Sequence, residues 1–351
     1  MAWVSEAGFG GPELAGLDWV DFGMALFTQP DTAPGQLEAA KAAISDFTST
    51  RTRQELFEEA QRREVILAPV LSPGELVGLD HLGVRGFWET VADPELGSVV
   101  APGRWVVPSS GPLPAPGPPP ALGEHTEEIR APRVPLAPAP PARERSRPLE
   151  GLKVVDCTWV YAGPFTTRLL ADYGATVVKV EGPTRYDASR SGGGGLNGDL
   201  GPDGSIQFGT LNAGKLGVTL DLNVAEGREV LADLAEWADI VVESYTPGTM
   251  EAWGIGYDDL RTRNPGLIML STSLMGRSGP LATFAGFGNL AGAISGYYEV
   301  TGWPDRAPAG PFLAYTDYVV PTFMVPLLCA ALEQRDPVSY THLTLPTKRI
   351  V

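Results

Sequence analysis

The 351-residue chain is short of cysteine, of histidine and of positive charge. There are two cysteines, Cys157 and Cys329, and three histidines. Each cysteine lies in an apolar stretch, so the pair reads as buried free thiols rather than as a disulfide or a metal site. Lys and Arg number 26 against 42 Asp and Glu, a formal net charge of −16. That balance argues against nucleic acid as a partner, since a phosphate backbone demands Lys and Arg. It leaves room for a small phosphorylated ligand, which needs only a local basic or N–H-rich pocket. No apolar run reaches the roughly 18–20 residues needed to cross a membrane. The N-terminus lacks the basic-then-apolar pattern of a secretory signal. A cytoplasmic protein without a membrane segment is the expectation.

What is present divides into two parts. In residues 1–130, Thr52 and Glu55 have capping-box spacing and open a helix through Leu56 and Ala60. Val65–Val70 is a short apolar run that reads as a strand, and Ser72-Pro73-Gly74-Glu75 starts another helix. Phe87–Val91 and Ser98–Ala101 flank a turn and read as a hairpin. Gly123–Ile129 begins a further short helix. Residues 131–148 are rich in Pro and Arg and read as an exposed, semi-rigid linker. Residues 149–336 alternate strand and helix. Strands are expected at Lys153–Cys157, Thr176–Val180, Asp239–Glu243 and Leu267–Thr272. Helices are expected at Gly163–Tyr173, ended by Gly174, and at Ala225–Trp237. Such alternation implies an α/β fold, a Rossmann-like parallel sheet flanked by helices, with parts of a small α+β domain beside it.

The segments 149–183 (LEGLKVVDCTWVYAGPFTTRLLADYGATVVKVEGP), 211–231 (LNAGKLGVTLDLNVAEGREVL), 238–268 and 314–321 (AYTDYVVP) resemble the beginning of a family III CoA-transferase. This family includes formyl-CoA transferase, carnitine CoA-transferases and α-methylacyl-CoA racemase. Residues 52–76, 85–103 and 122–129 resemble the C-terminal part of the same family. End first and beginning second is the order that a tandem fusion would leave. The chain is therefore read as the C-terminal part of a first copy (1–130), the linker (131–148) and the N-terminal part of a second copy (149–336). The stretch Val338–Thr347, VSYTHLTLPT, reads as translated sequencing adapter. Residues 337–351 are accordingly expected to be an artefact that packs nowhere, and His342 to carry no function.

The resemblance implies acyl-CoA and carboxylic acids as substrates, no metal, and two subunits interlocked as a homodimer or pseudo-dimer. It implies an Asp nucleophile that attacks the thioester. That Asp belongs to a G-[YF]-D segment, matched here by Gly286-Phe287-Gly288, so Gly288 replaces the acid. The racemases need a His where Phe287 stands. By the same resemblance Ala162, Gly163 and Pro164 form a turn near CoA, which could equally be a plain strand-to-helix turn. Lys215 matches a lysine near the CoA phosphates, or is an ordinary surface lysine. Ser244 and Tyr245 occupy an Asn-Phe pair of the family. Thr246 and Gly182 each replace an Arg, which suggests a weakened or altered CoA site. Asp317 reads as a cap for its following helix, Asp156 as structural, and His81 and His125 as solvated or packed. Gly192–Gly195 is a weak phosphate signal.

Four readings follow. The parent protein is a CoA-transferase whose nucleophile lies outside this sequence, or this is a non-catalytic CoA-binding or structural half. A generic dinucleotide protein is disfavoured, since no G-x-G-x-x-G follows Cys157. Racemisation is a weaker alternative to the first two. The linker, about 55 Å if extended at ~3.1 Å per residue, would let residues 85–130 dock on 149–336 and cover the apolar faces around Ile129 and the hairpin.

Overall fold

The computed structural model describes residues 1–19, 22, 34–93, 95–103, 105–109, 111, 119–131, 146–191, 201–311 and 313–335, with the backbone of 349–350. The N-terminal part is helical: α1 (Ala2–Glu6), α2 (Gly11–Ala15), α3 (Pro34–Ser49), α4 (Arg53–Arg62), α5 (Pro73–Val77) and α6 (Asp80–Val84). Two of these starts follow from the sequence. Thr52 and Ser72 each accept from the backbone N–H three residues on, and Glu55 and Glu75 return the bond to the cap. Helices α1–α4 share a small core in which Phe47 is edge-on to Trp3 and to Phe9.

A hairpin follows, β1 (Trp88–Asp93) against β2 (Gly97–Pro102). Its turn is held by Asp93 Oδ1, which accepts from the N–H groups of Glu95 and Leu96. Helix α7 (Thr126–Arg130) closes this part, and 132–145, most of the expected linker, lie outside the described residues.

The second part alternates β3 (Lys153–Cys157), α8 (Ala162–Asp172), β4 (Thr176–Glu181), α9 (Ile206–Asn212), β5 (Leu216–Thr219), α10 (Ala225–Trp237), β6 (Ile240–Glu243), α11 (Thr249–Ala252), α12 (Tyr257–Arg263) and β7 (Ile268–Ser271). Helices α13 (Gly288–Ile294), α14 (Tyr297–Val300), α15 (Tyr315–Val319) and α16 (Pro321–Arg335) complete it. The strands form one parallel sheet in the order β5-β4-β3-β6-β7, with β8 (Arg349–Ile350) beyond β7. Strands β3, β6 and β7 are apolar on both faces because helices cover both. Val155, Val241 and Met269 face one core with Leu231 of α10 and Leu260 of α12. Val154, Ile240, Val242, Ile268 and Leu270 face the other, with Leu170 of α8 and Leu328 of α16. The fold class is the α/β one expected. Strand order reverses between β3 and β6, and in open α/β sheets the crevice at the carboxyl end of such a switch is where ligands bind.

Several expectations are corrected. Val65–Val70 forms no strand; Val65 and Ile66 are exposed, and the Val70 carbonyl is taken by the Arg53 side chain rather than by a strand edge. Cys157 is buried but Cys329 is exposed on α16. Tyr315–Arg335 is 21 residues of helix, long and apolar enough by length and composition to cross a membrane. Here Met324, Leu328 and Ala331 on it are core residues against the sheet. The backbone of Arg349–Ile350 pairs with Met269 and Leu270, so these two residues do extend the sheet. An open edge accepts any extended segment, since its hydrogen bonds are backbone only.

The two parts do dock, though by other residues than Ile129 and Val100, which are both exposed. Val106 enters the sheet core, Trp105 meets Phe323, and Phe57 meets Phe284. Leu71 N–H donates to Ala293 O at 3.1 Å. His81, 2 % exposed, accepts from Leu281 N–H at Nδ1 (3.0 Å) and so donates from Nε2 to Met275 O (2.8 Å). Gly279 leaves the space that this imidazole fills.

Candidate functional site

The turn Thr158–Pro164 leaves the carboxyl end of β3 and enters α8. Almost every polar group of its first half is claimed by a different strand end. Asp156 Oδ1 accepts from Thr158 N–H (2.9 Å) and Oγ1–H (2.5 Å). Lys179 of β4 donates to Thr158 O, and Ser244, just past β6, accepts from Trp159 N–H (3.0 Å). Asp187 accepts from Val160 N–H (3.0 Å) and pairs with Lys179 (3.1 Å). Val160 is thereby held at φ +67°, left-handed backbone that a β-branched residue adopts only under constraint. Gly163 is required by close approach, because a Cβ there would overlap the Thr158 side chain.

Behind this turn lies a buried ionic network. Asp156, fully buried, also accepts from Thr167 Oγ1 (2.7 Å) and pairs with Lys215 (2.8 Å). Lys215 spends its three protons on Asp156, Pro164 O (2.9 Å) and Asn212 Oδ1 (2.8 Å). Burial alone would raise the Asp156 carboxyl; Lys179 and Lys215 outweigh it and hold the carboxyl far below its usual range. Burial draws Lys215 down to about 8, with Asp156 offsetting part of the effect.

On the other side of the crevice, Tyr245 N–H donates to Glu243 (2.8 Å), and the Tyr245 ring packs edge-on to Trp253. Burial pushes the Tyr245 phenol up and the Glu243 carboxyl up. Arg277 bridges Glu243 (2.7 Å) and Glu251 (2.6 Å).

Of the residues singled out from sequence, the structure thus brings Ala162, Gly163 and Pro164 together with Ser244 and Tyr245 at the switch point. Lys215 stands behind the turn and touches its Pro164 carbonyl. Asp156 lies at the centre of a buried charge network. Lys179 and Asp187 were missed; a lone lysine inside an apolar strand was the only signal. Gly192–Gly195 lies outside the described residues. His125 is exposed.

Gly288 opens α13 and is buried. A Cβ there would lie 2.5 Å from Thr316 Oγ1, 2.9 Å from Asp317 N and 3.0 Å from Ala314 O. Asp317 does not cap its own helix. It lies inside α15 and accepts from Gly288 N–H (3.3 Å), so it caps α13 instead; burial raises its carboxyl. Tyr318 beside it meets Tyr161 at the start of α8, ring centroids 5.0 Å apart, which joins α15 to the turn. Among the described residues no group of His, Cys, Asp and Glu could hold a metal ion.

A parallel α/β sheet flanked by helices, with a built turn at its switch point, places the chain in the doubly wound α/β class. The family model for CoA-transferase family III matches residues 14–126 and 149–338, and the chain belongs to that family. It is 37% identical over 190 residues to succinyl-CoA–D-citramalate CoA-transferase of Chloroflexus aurantiacus, covering 54% of this chain and 46% of that protein. It is 34% identical over 189 residues to human succinyl-CoA:glutarate CoA-transferase, covering 54% of this chain and 42% of that one. A CAIB/BAIF family protein from Brucella suis superposes with a TM-score of 0.51 at 34% identity, over 54% of this chain and 50% of that one. The chain spans less than half the length of the curated relatives it matches.

Proposed function

We propose that the chain is a CoA-binding part of a CoA-transferase that moves CoA between carboxylic acids, with the nucleophilic carboxylate supplied from outside this sequence. CoA lies at the crevice between β3 and β6, against Ala162, Gly163 and Pro164 on one side and Ser244 and Tyr245 on the other. Lys215 acts from behind, fixing the Pro164 carbonyl, and has no proton left for a phosphate. In the exchange a carboxylate attacks the thioester carbonyl, the C–S bond breaks and CoA thiolate leaves a mixed anhydride. The thiolate then attacks the enzyme's carbonyl of the anhydride, expelling the donor acid and leaving an enzyme thioester. The acceptor carboxylate attacks that thioester, and the released thiolate takes the acceptor's acyl group and frees the enzyme carboxylate.

The observation that carries this reading is Gly288. It stands where the family's Asp is expected, and its surroundings leave no space for a side chain. That also favours a second reading, a non-catalytic half that holds CoA or completes an interlocked dimer or pseudo-dimer. Racemisation is the weakest reading, because Phe287 stands where its histidine belongs. The division into 1–130, 131–148 and 149–336 as parts of two tandem copies is supported by the family match falling into two blocks, 14–126 and 149–338. Purified protein, mixed with succinyl-CoA and a panel of acceptor acids and quenched with hydroxylamine, tests the proposal. CoA binding without exchange and without a trapped acyl adduct is expected. Exchange with an adduct on a residue of this chain overturns it.

A further inference from the structure

A second cavity, about 480 Å³, lies at the carboxyl end of β7, between the two docked parts. Its walls are apolar: Val106, Leu270, Ile294 and Met324 are each under 5 % exposed. Trp105 and Phe323, half exposed, stand at its rim. Among the described residues no acidic one lines it, in a chain whose net charge is −16. Among the described residues the guanidinium of Arg85 does. Arg85 packs flat on Gly276, whose missing Cβ makes the room, and donates through Nη1 to Ser278 O (3.1 Å) and Oγ (2.9 Å). Its Nε and Nη2 donors have no acceptor, and no carboxylate pairs with it, among the described residues. Ser273, also on the wall, has a buried hydroxyl without a hydrogen-bond partner. His81 is on the wall too, but both its nitrogens are engaged.

We propose that this cavity binds an apolar monocarboxylate, its tail among Leu270, Ile294 and Met324 and its carboxylate on Arg85 and the Ser273 hydroxyl. A half-buried cation without a counter-charge is costly, and a carboxylate supplies both the charge and acceptors for the guanidinium fork. Burial already lowers the Arg85 proton affinity. A tail in the cavity leaves water for an apolar wall. The cavity also reaches Ala291 and Ile294 on α13, the helix that begins at Gly288. Assigning this acid as a partner in CoA exchange rests on the reading above; the binding site itself does not.

The test is calorimetric titration of the whole chain with octanoate, octanol and succinate, and separately with CoA. Octanoate is expected to bind more tightly than either control. Arg85→Met should weaken octanoate by about ten- to a hundred-fold, the worth of hydrogen bonds to a charged group. Should Arg85→Met not fold, Leu327→Trp, which fills the cavity and leaves Arg85 in place, should abolish octanoate binding and keep CoA binding. Octanol binding as tightly as octanoate, succinate binding better, no octanoate binding, or octanoate untouched by the variants would each overturn the proposal. Loss of CoA binding in the unaltered protein would instead sink the reading of the crevice.

Discussion

Asp156→Asn is the sharpest perturbation of the site's foundation. The change keeps shape and removes one charge. Asp156 is fully buried and serves Thr158, Thr167 and Lys215, and its charge is felt by Lys179. Breaking a buried pair by neutralising one partner leaves the other ion buried and uncompensated, and costs about 3–5 kcal/mol. For a unit of this size that corresponds to roughly 6–20 °C in melting temperature. Replacing both ions, Asp156→Asn with Lys215→Met, should recover most of the loss, because no lone Lys215 ion is then left in the core. Urea unfolding followed by circular dichroism measures both. The single variant lying within about 0.5 kcal/mol of the parent, the scatter of an ordinary surface change, would refute the reasoning. So would a double variant as unstable as the sum of the singles. The pH dependence has a matching sign. The Asp156 carboxyl is depressed in the folded state, so its stabilisation is present above the unfolded value and is lost as pH falls toward the folded one.

Three other outcomes follow. Burial lowers the His81 imidazole below its ordinary value, so the unfolded chain takes up its proton first on acidification. Stability should decline as pH falls below about 6.5, and His81→Leu, though less stable at neutral pH, should show a flatter decline. Gly288→Asp should not restore CoA exchange and should cost about 1–3 kcal/mol, as overpacking does, because α15 must shift to admit the side chain; a gain of turnover in a coupled assay would count against the steric argument. Leu328→Ala, at a fully buried position of α16, should cost about 2–5 kcal/mol by denaturant titration.

The parts legible in the sequence are those whose local pattern and tertiary setting agree. Ala225–Trp237 is amphipathic with Leu231 inward, and the structure places the helix at those bounds. Strands β3, β6 and β7 read directly from apolar runs because both faces are covered. Strand β5 carried no such signal: it is an exposed edge strand, with Leu216 and Gly217 open. Val65–Val70 had the signal but pairs with no strand among the described residues. At the site, the turn and Ser244–Tyr245 were legible through family motifs. The Lys179–Asp187 pair was not, because the backbone groups it holds, Thr158 O and Val160 N–H, come within reach only when β4 is laid beside β3. Lys215 looked like a surface cation for the same reason: nothing local shows that Asp156, 59 positions away, is its partner.

The most direct test is a crystal structure of the chain soaked with CoA. The account predicts CoA density in the crevice between the Thr158–Pro164 turn and Ser244–Tyr245, with Lys215 still bound to Asp156. Density lying elsewhere, or Lys215 turned outward onto a CoA phosphate, would contradict it.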